Sequence, residues 1–214
     1  MKMAIAAGQA LAKTTNPDVR LPGPAYRFFK RAFDFITALL LLILLGVPML
    51  LVAMTIRLTS KGPALYWSNR VGIDNQIFKM PKFRSMRMNA PQLATHLFRD
   101  PDAYVTPIGR LLRKTSLDEL PQLLSILKGD ISFVGPRPAL FNQDDLVALR
   151  TERGVHRLMP GLTGWAQING RDSIPIPVKV DFDTYYLNHC SFWFDMKILC
   201  MTVFKVLRTE NVSH

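Results

Sequence analysis

The chain has 214 residues, 49 % of them hydrophobic, and 27 lysines and arginines against 16 acids give it a formal charge of +11. One domain with an appended membrane element fits that length, and a chain both cationic and greasy points to anionic lipid or phosphorylated small molecules rather than nucleic acid. Two cysteines without a C-x-x-C and four scattered histidines argue against a zinc site and against any need for an oxidising compartment.

In chain order, residues 1–25 read as a small, polar, proline-punctuated tail (Pro17, Pro22, Pro24). Residues 26–60 hold the chain's dominant feature, a long and largely apolar stretch from Ala32 to Ile56 with Pro48 in it. As a helix it would be about 37 Å long, against a hydrocarbon core of about 30 Å. It begins too late and runs too long for a cleaved signal, and no small-x-small site follows closely. Arg27, Lys30 and Arg31 precede it; Arg57 and Lys61 follow. Positive charge marks the cytoplasmic side of a membrane segment, and here both flanks carry it. Pro48 removes a helical N–H and clashes with the preceding turn, so a break there would return both ends to one side. A kinked span remains the alternative. Asp34 follows Lys30 and Arg31 by four and three residues, which gives its charge partners.

Residues 61–214 read as a phosphate-handling domain. Ala64 to Ser68 and Gln76 to Lys79 flank Gly72-Ile-Asp-Asn, a β-hairpin pattern. Thr106-Pro107 starts a helix with Ile108, Leu111 and Leu112 on one face. Leu120, Leu123, Leu124 and Leu127 fall at helical spacing before Gly129. A further helix is expected from about Ala139 to Arg153, closed by Gly154, and Met159 to Arg171 reads as loop. Phe192 to Arg208 mixes aromatics, aliphatics and cations, as a helix at a membrane interface or a core helix would. The expected class is α+β, mainly helical.

The chemistry gathers in Ser116-Leu-Asp118-Glu119-Leu-Pro121-Gln122. Ser116 and Glu119 would fit a capping box, but Pro121 disfavours that register; a helix starting at Asp118 or later puts the proline in its first turn. Capping needs only one acid. The pair could supply a nucleophile and a base, or a metal ligand and a base. Lys79, Lys82, Arg84 and Arg87 cluster after the hairpin, Arg137 stands between two prolines, and Arg171 ends Asn169-Gly170-Arg171. Arginine suits bidentate phosphate contact, although each cation taken singly reads as a solvated charge. Gly161-Leu-Thr-Gly164 is a weak G-x-x-G match to RNA-binding modules. Asp181 and Asp183 add acids beside aromatics.

Four ordered motifs carry a resemblance: Lys79 to Met86, Ser116 to Gln122, Lys128 to Pro138 and Pro160 to Arg171. In this order they resemble the bacterial sugar transferases, the monotopic phosphoglycosyl transferases, from about Tyr26 to the C-terminus. The resemblance implies transfer of a sugar 1-phosphate from a UDP-sugar to undecaprenyl phosphate through a covalent intermediate, with release of UMP. It assigns Asp118 as nucleophile and Mg2+ ligand and Glu119 as the assisting base. Lys82, Arg84, Arg113, Arg137, Gln167, Asn169, Arg171 and Asp183 would bind phosphate or substrate. It also implies a re-entrant membrane helix broken at Pro48, although Val47 stands where many members carry serine. The domain of residues 61–214 would face the cytoplasm of the bacterial inner membrane, bound to membrane lipid and not to nucleic acid. Later glycosyltransferases would take its product, and self-association stays open. The large N-terminal membrane domain of some members would be absent. The rival reading is a membrane-anchored, non-catalytic basic module binding anionic lipid or nucleic acid.

Overall fold

The computed structural model describes residues 21–90, 102–170 and 174–209. Its spine is α1 (Pro24–Thr59), 36 residues with Pro24 in the first turn, where its missing N–H is harmless. The helix continues through Pro48, the position where a break was expected. One lost hydrogen bond does not outweigh two or more packed turns on each side, and proline is tolerated in apolar helices for that reason.

A stripe at helical spacing turns inward. Asp34, Ala38 and Ile56 are buried, and Leu41, Leu42, Leu45, Met49, Val52 and Ala53 pack on the body. The other face carries Ile43, Leu44, Val47, Leu50 and Leu51, of which Leu44 is 72 % exposed. Among the described residues α1 is the one helix long and apolar enough to cross a membrane.

The hairpin forms as expected but is longer. β1 (Leu65–Val71) pairs antiparallel with β2 (Ile77–Phe83) through a 3-10 turn at Ile73–Asn75. Asp74 and Asn75 adopt positive φ there, which short polar side chains tolerate. Next comes α2 (Pro107–Lys114), where the Thr106 hydroxyl accepts from the Gly109 N–H at 3.0 Å. α3 (Gln122–Lys128) ends at Gly129 with φ 93°. α4 (Asp144–Glu152) starts later than its pattern suggested, because Gln143 Oε1 holds the Leu140 N–H at 2.8 Å in a turn.

Residues 159–170 are not a plain loop. They contain β4 (Gly161–Thr163), parallel to β3 (Ser132–Val134), and then α5 (Trp165–Asn169). α6 (Ile176–His189), unforeseen, precedes α7 (Phe192–Thr209). The main core joins α1, α3, β3 and the last two helices through Ala38, Leu123, Ile126, Phe133, Tyr186 and Ile198.

Polar contacts fix α1 to this body at both ends. Lys30 Nζ and the Tyr26 hydroxyl donate to Asp195 Oδ2 at 2.6 and 2.8 Å, and the Tyr186 hydroxyl donates to Oδ1 at 2.7 Å. At the far end Arg84 Nη2 donates to the Ser60 carbonyl at 3.0 Å and its hydroxyl at 2.6 Å, where α1 stops.

Candidate active site

Asp118 and Glu119 lie on a single 3-10 turn, Leu117–Glu119, between α2 and α3. The α-helix starts after Pro121, so the acids precede it rather than sit inside it. Ser116 caps nothing with its side chain; it turns the backbone with φ 56°, a left-handed conformation that is strained for a serine. This bend brings α2's last turn, with Arg113, against the acidic turn, and Arg113 acts electrostatically on Asp118.

Glu119 Oε1 receives two cations: Lys82 Nζ at 2.7 Å and Arg137 Nη2 at 3.2 Å. Three separated motifs therefore meet at one oxygen. Burial pushes Glu119 upward, but Arg137 and Lys82 together outweigh it and bring the carboxyl down to about 2. A carboxylate held so low stays ionised near neutrality. Asp118 moves the other way. Burial raises it, Lys82 and Arg113 oppose that, and the neighbouring Glu119 charge adds to the rise. Lys82 is itself lowered by burial.

The cation cluster seen in the sequence splits by strand alternation. Lys82 and Lys79 point to opposite faces of β2, and Lys79 is exposed, as is Arg87. Arg84 is buried at 5 % exposure, and its Nη2 donates to Ser60 at the end of α1.

Arg137 owes its position to a clamped backbone. Four consecutive carbonyls are taken. Gly161 N–H donates to Pro136 O at 2.9 Å, Arg150 Nη1 to Arg137 O at 2.8 Å, Arg70 Nη1 to Pro138 O at 3.1 Å, and Val71 N–H to Ala139 O at 2.9 Å. Arg150 is fixed in turn by Asp183, whose Oδ2 accepts from Nε at 3.0 Å and Nη2 at 2.7 Å. Asp183 is 1 % exposed, and its described side-chain partner is Arg150. Burial raises its carboxyl against the pull of Arg150.

Arg70 and Arg150 were not anticipated. The available signal was Arg150 itself, one turn after Leu146 on the same buried face of α4, where a cation needs a counter-ion.

Gln167 reaches this region from α5. Gly164 lies so close to the Gly135 carbonyl that any side chain there would collide with it, and Gln167 Oε1 is beside the same point. Both polar atoms of Gln167 are shielded without a partner among the described residues. Asn169 Nδ2 instead donates to its own helix, at Trp165 O, 2.7 Å, and is exposed. Arg171 lies outside the described residues.

Among the described residues no three His, Cys, Asp or Glu side chains gather into a metal cage. With Glu119 engaged by two cations, Asp118 is the carboxylate left for a divalent ion. That single oxygen donor fits Mg2+, which keeps few protein ligands when substrate phosphates complete its shell.

The family profile described as "Bacterial sugar transferase" matches residues 25–209. The chain is 43 % identical to an uncharacterized sugar transferase, EpsL, of Bacillus subtilis, over 86 % of this chain and 90 % of that one. It is 39 % identical to a UDP-glucose:undecaprenyl-phosphate glucose-1-phosphate transferase of Caulobacter vibrioides, over 92 % of this chain and 77 % of the other. It is 40 % identical to the enzyme of the same name from Escherichia coli, over 84 % of this chain but only 40 % of the relative. The chain belongs to the bacterial sugar transferase family.

Proposed function

We propose that this protein is a phosphoglycosyl transferase that moves a sugar 1-phosphate from a UDP-sugar to undecaprenyl phosphate, an early membrane step of exopolysaccharide or related glycan assembly. The observation that carries the reading is the buried Asp118 beside a carboxylate that holds Lys82 and Arg137 in place. Phosphoryl transfer needs positioned cations around a nucleophile, because an anion must approach an anion.

In the first step an Asp118 oxygen bonds to the phosphorus bearing the sugar. The diphosphate bridge breaks and its electron pair leaves with UMP. In the second step the lipid phosphate oxygen attacks that phosphorus and the Asp118 carboxylate leaves, which restores the enzyme. Lys82 and Arg137 offset phosphate charge, and Glu119 keeps both at their posts. Mg2+, when bound at Asp118, supplies further charge neutralisation on the phosphates.

The reading places both ends of α1 on one side of the membrane. Support comes from the contacts at Asp34 and at Ile56, which reach a single body. A spanning α1 would drag that body's charged surface through hydrocarbon.

The test is UMP release from a panel of UDP-sugars with undecaprenyl phosphate. Wild type should turn over with at least one sugar, stop in EDTA and recover with Mg2+. Asp118→Asn should lose release entirely while remaining membrane-bound; turnover at the wild-type rate removes Asp118 as nucleophile.

A further inference from the structure

We propose that Arg31 and Asp34 are positioning residues of the active site, setting from one face of the membrane helix the separation of the Asp118–Glu119 turn and Arg137. This rests on the transfer reading above.

Arg31 Nη1 donates to Ile126 O at 2.5 Å and Nη2 to Leu127 O at 2.6 Å. These are end carbonyls of α3, a seven-residue helix too short to hold itself. The guanidinium lies over Gly129, where a Cβ would stand 3.3 Å from Nη2, so a bare backbone gives it room. α3 begins three residues after Glu119. Whatever fixes its C-terminal end fixes the tilt at which its other end presents the acids.

Asp34 lies one turn along, about 4.5 Å further on the axis. It is 3 % exposed and its Oδ1 accepts the Phe133 N–H at 3.2 Å. Phe133 is the middle residue of β3, and β3 runs directly into Gly135, Pro136 and Arg137. Two side chains of one helix thus hold the two segments whose tips meet as Glu119 and Arg137, 3.2 Å apart. A rigid helix is a better ruler for this distance than either loop.

The experiment compares full-length protein in lipid nanodiscs: wild type, Arg31→Gln, Arg31→Lys, Asp34→Ala and Asp34→Asn. Turnover per folded molecule is measured by UMP release over a range of donor concentrations. Arg31→Gln should lower kcat by about 10²-fold, the effect of a displacement near 1 Å, with a much smaller change in the donor KM. Lysine at 31 reaches one carbonyl and should recover part of the lost kcat. Asparagine at 34 keeps an acceptor oxygen and should resemble wild type, whereas alanine should follow Arg31→Gln. If kcat per folded molecule is unchanged, or if the donor KM rises as steeply as kcat falls, the inference is wrong. If Arg31→Gln does not fold, the lysine and asparagine variants decide the matter by kcat and KM. A wild-type chain that releases no UMP overturns the transfer reading and this inference with it.

Discussion

Glu119 binds Lys82 and Arg137 through one oxygen, and this predicts an acid-sensitive contact. Its folded carboxyl lies at about 2, below the ordinary 4.5. A depressed carboxylate stabilises the fold above its unfolded value and loses that contribution as pH falls through the folded one. The thermal midpoint of wild type should therefore drop between about pH 5 and pH 2, and Glu119→Gln should flatten that stretch. At neutral pH the same variant leaves two cations facing a neutral amide and should be less stable by about 1–3 kcal/mol. Scanning calorimetry over that range checks both. At this scale the sequence exposed the acidic pair, Lys82 and Arg137, because motif and chemistry coincide there. It could not tell Lys82 from Arg84, two residues away, since a charge in a sequence does not reveal whether its partner is a ligand or a helix end. Asp183, buried against Arg150, poses the same ambiguity.

Among the elements, those with a long period or a clear stop were legible: the hairpin, α2, α3 with Gly129, and α7. The pair β3 and β4 was not, because strands of three residues carry no alternation to read. α6 was hidden by Pro175 and Pro177, which mark a loop in most contexts but here cap the helix and occupy its first turn. The α4–α6 contact yields a prediction. Asp183→Asn leaves Arg150 buried without its counter-charge and should destabilise by about 3–5 kcal/mol. Replacing both with apolar residues, Arg150→Met with Asp183→Leu, should recover much of the stability. Turnover should not return with it, because removing Arg150 takes the donor from the Arg137 carbonyl. Denaturation and UMP release measured on the same samples separate the two effects.

For the molecule as a whole, the flanking cations read in the sequence as topology marks have a second use. Lys30 and Arg31 turn inward to Asp195 and to α3, so they are not simply offered to headgroups. The same-side arrangement then rests more on the contacts of α1 than on charge counting. Single cysteines placed before Arg27 and after Lys61 should react with an impermeant maleimide from the same side of sealed vesicles. Labelling from opposite sides would establish a span. One consequence follows from the stripe of Ala38, Leu41, Leu42, Leu45 and Ile56 against the interior. During synthesis this helix is made before the segments that pack against it, so its inward stripe at first lacks a protein covering. In the proposed membrane setting the bilayer then serves as a temporary chaperone for an interior that does not yet exist.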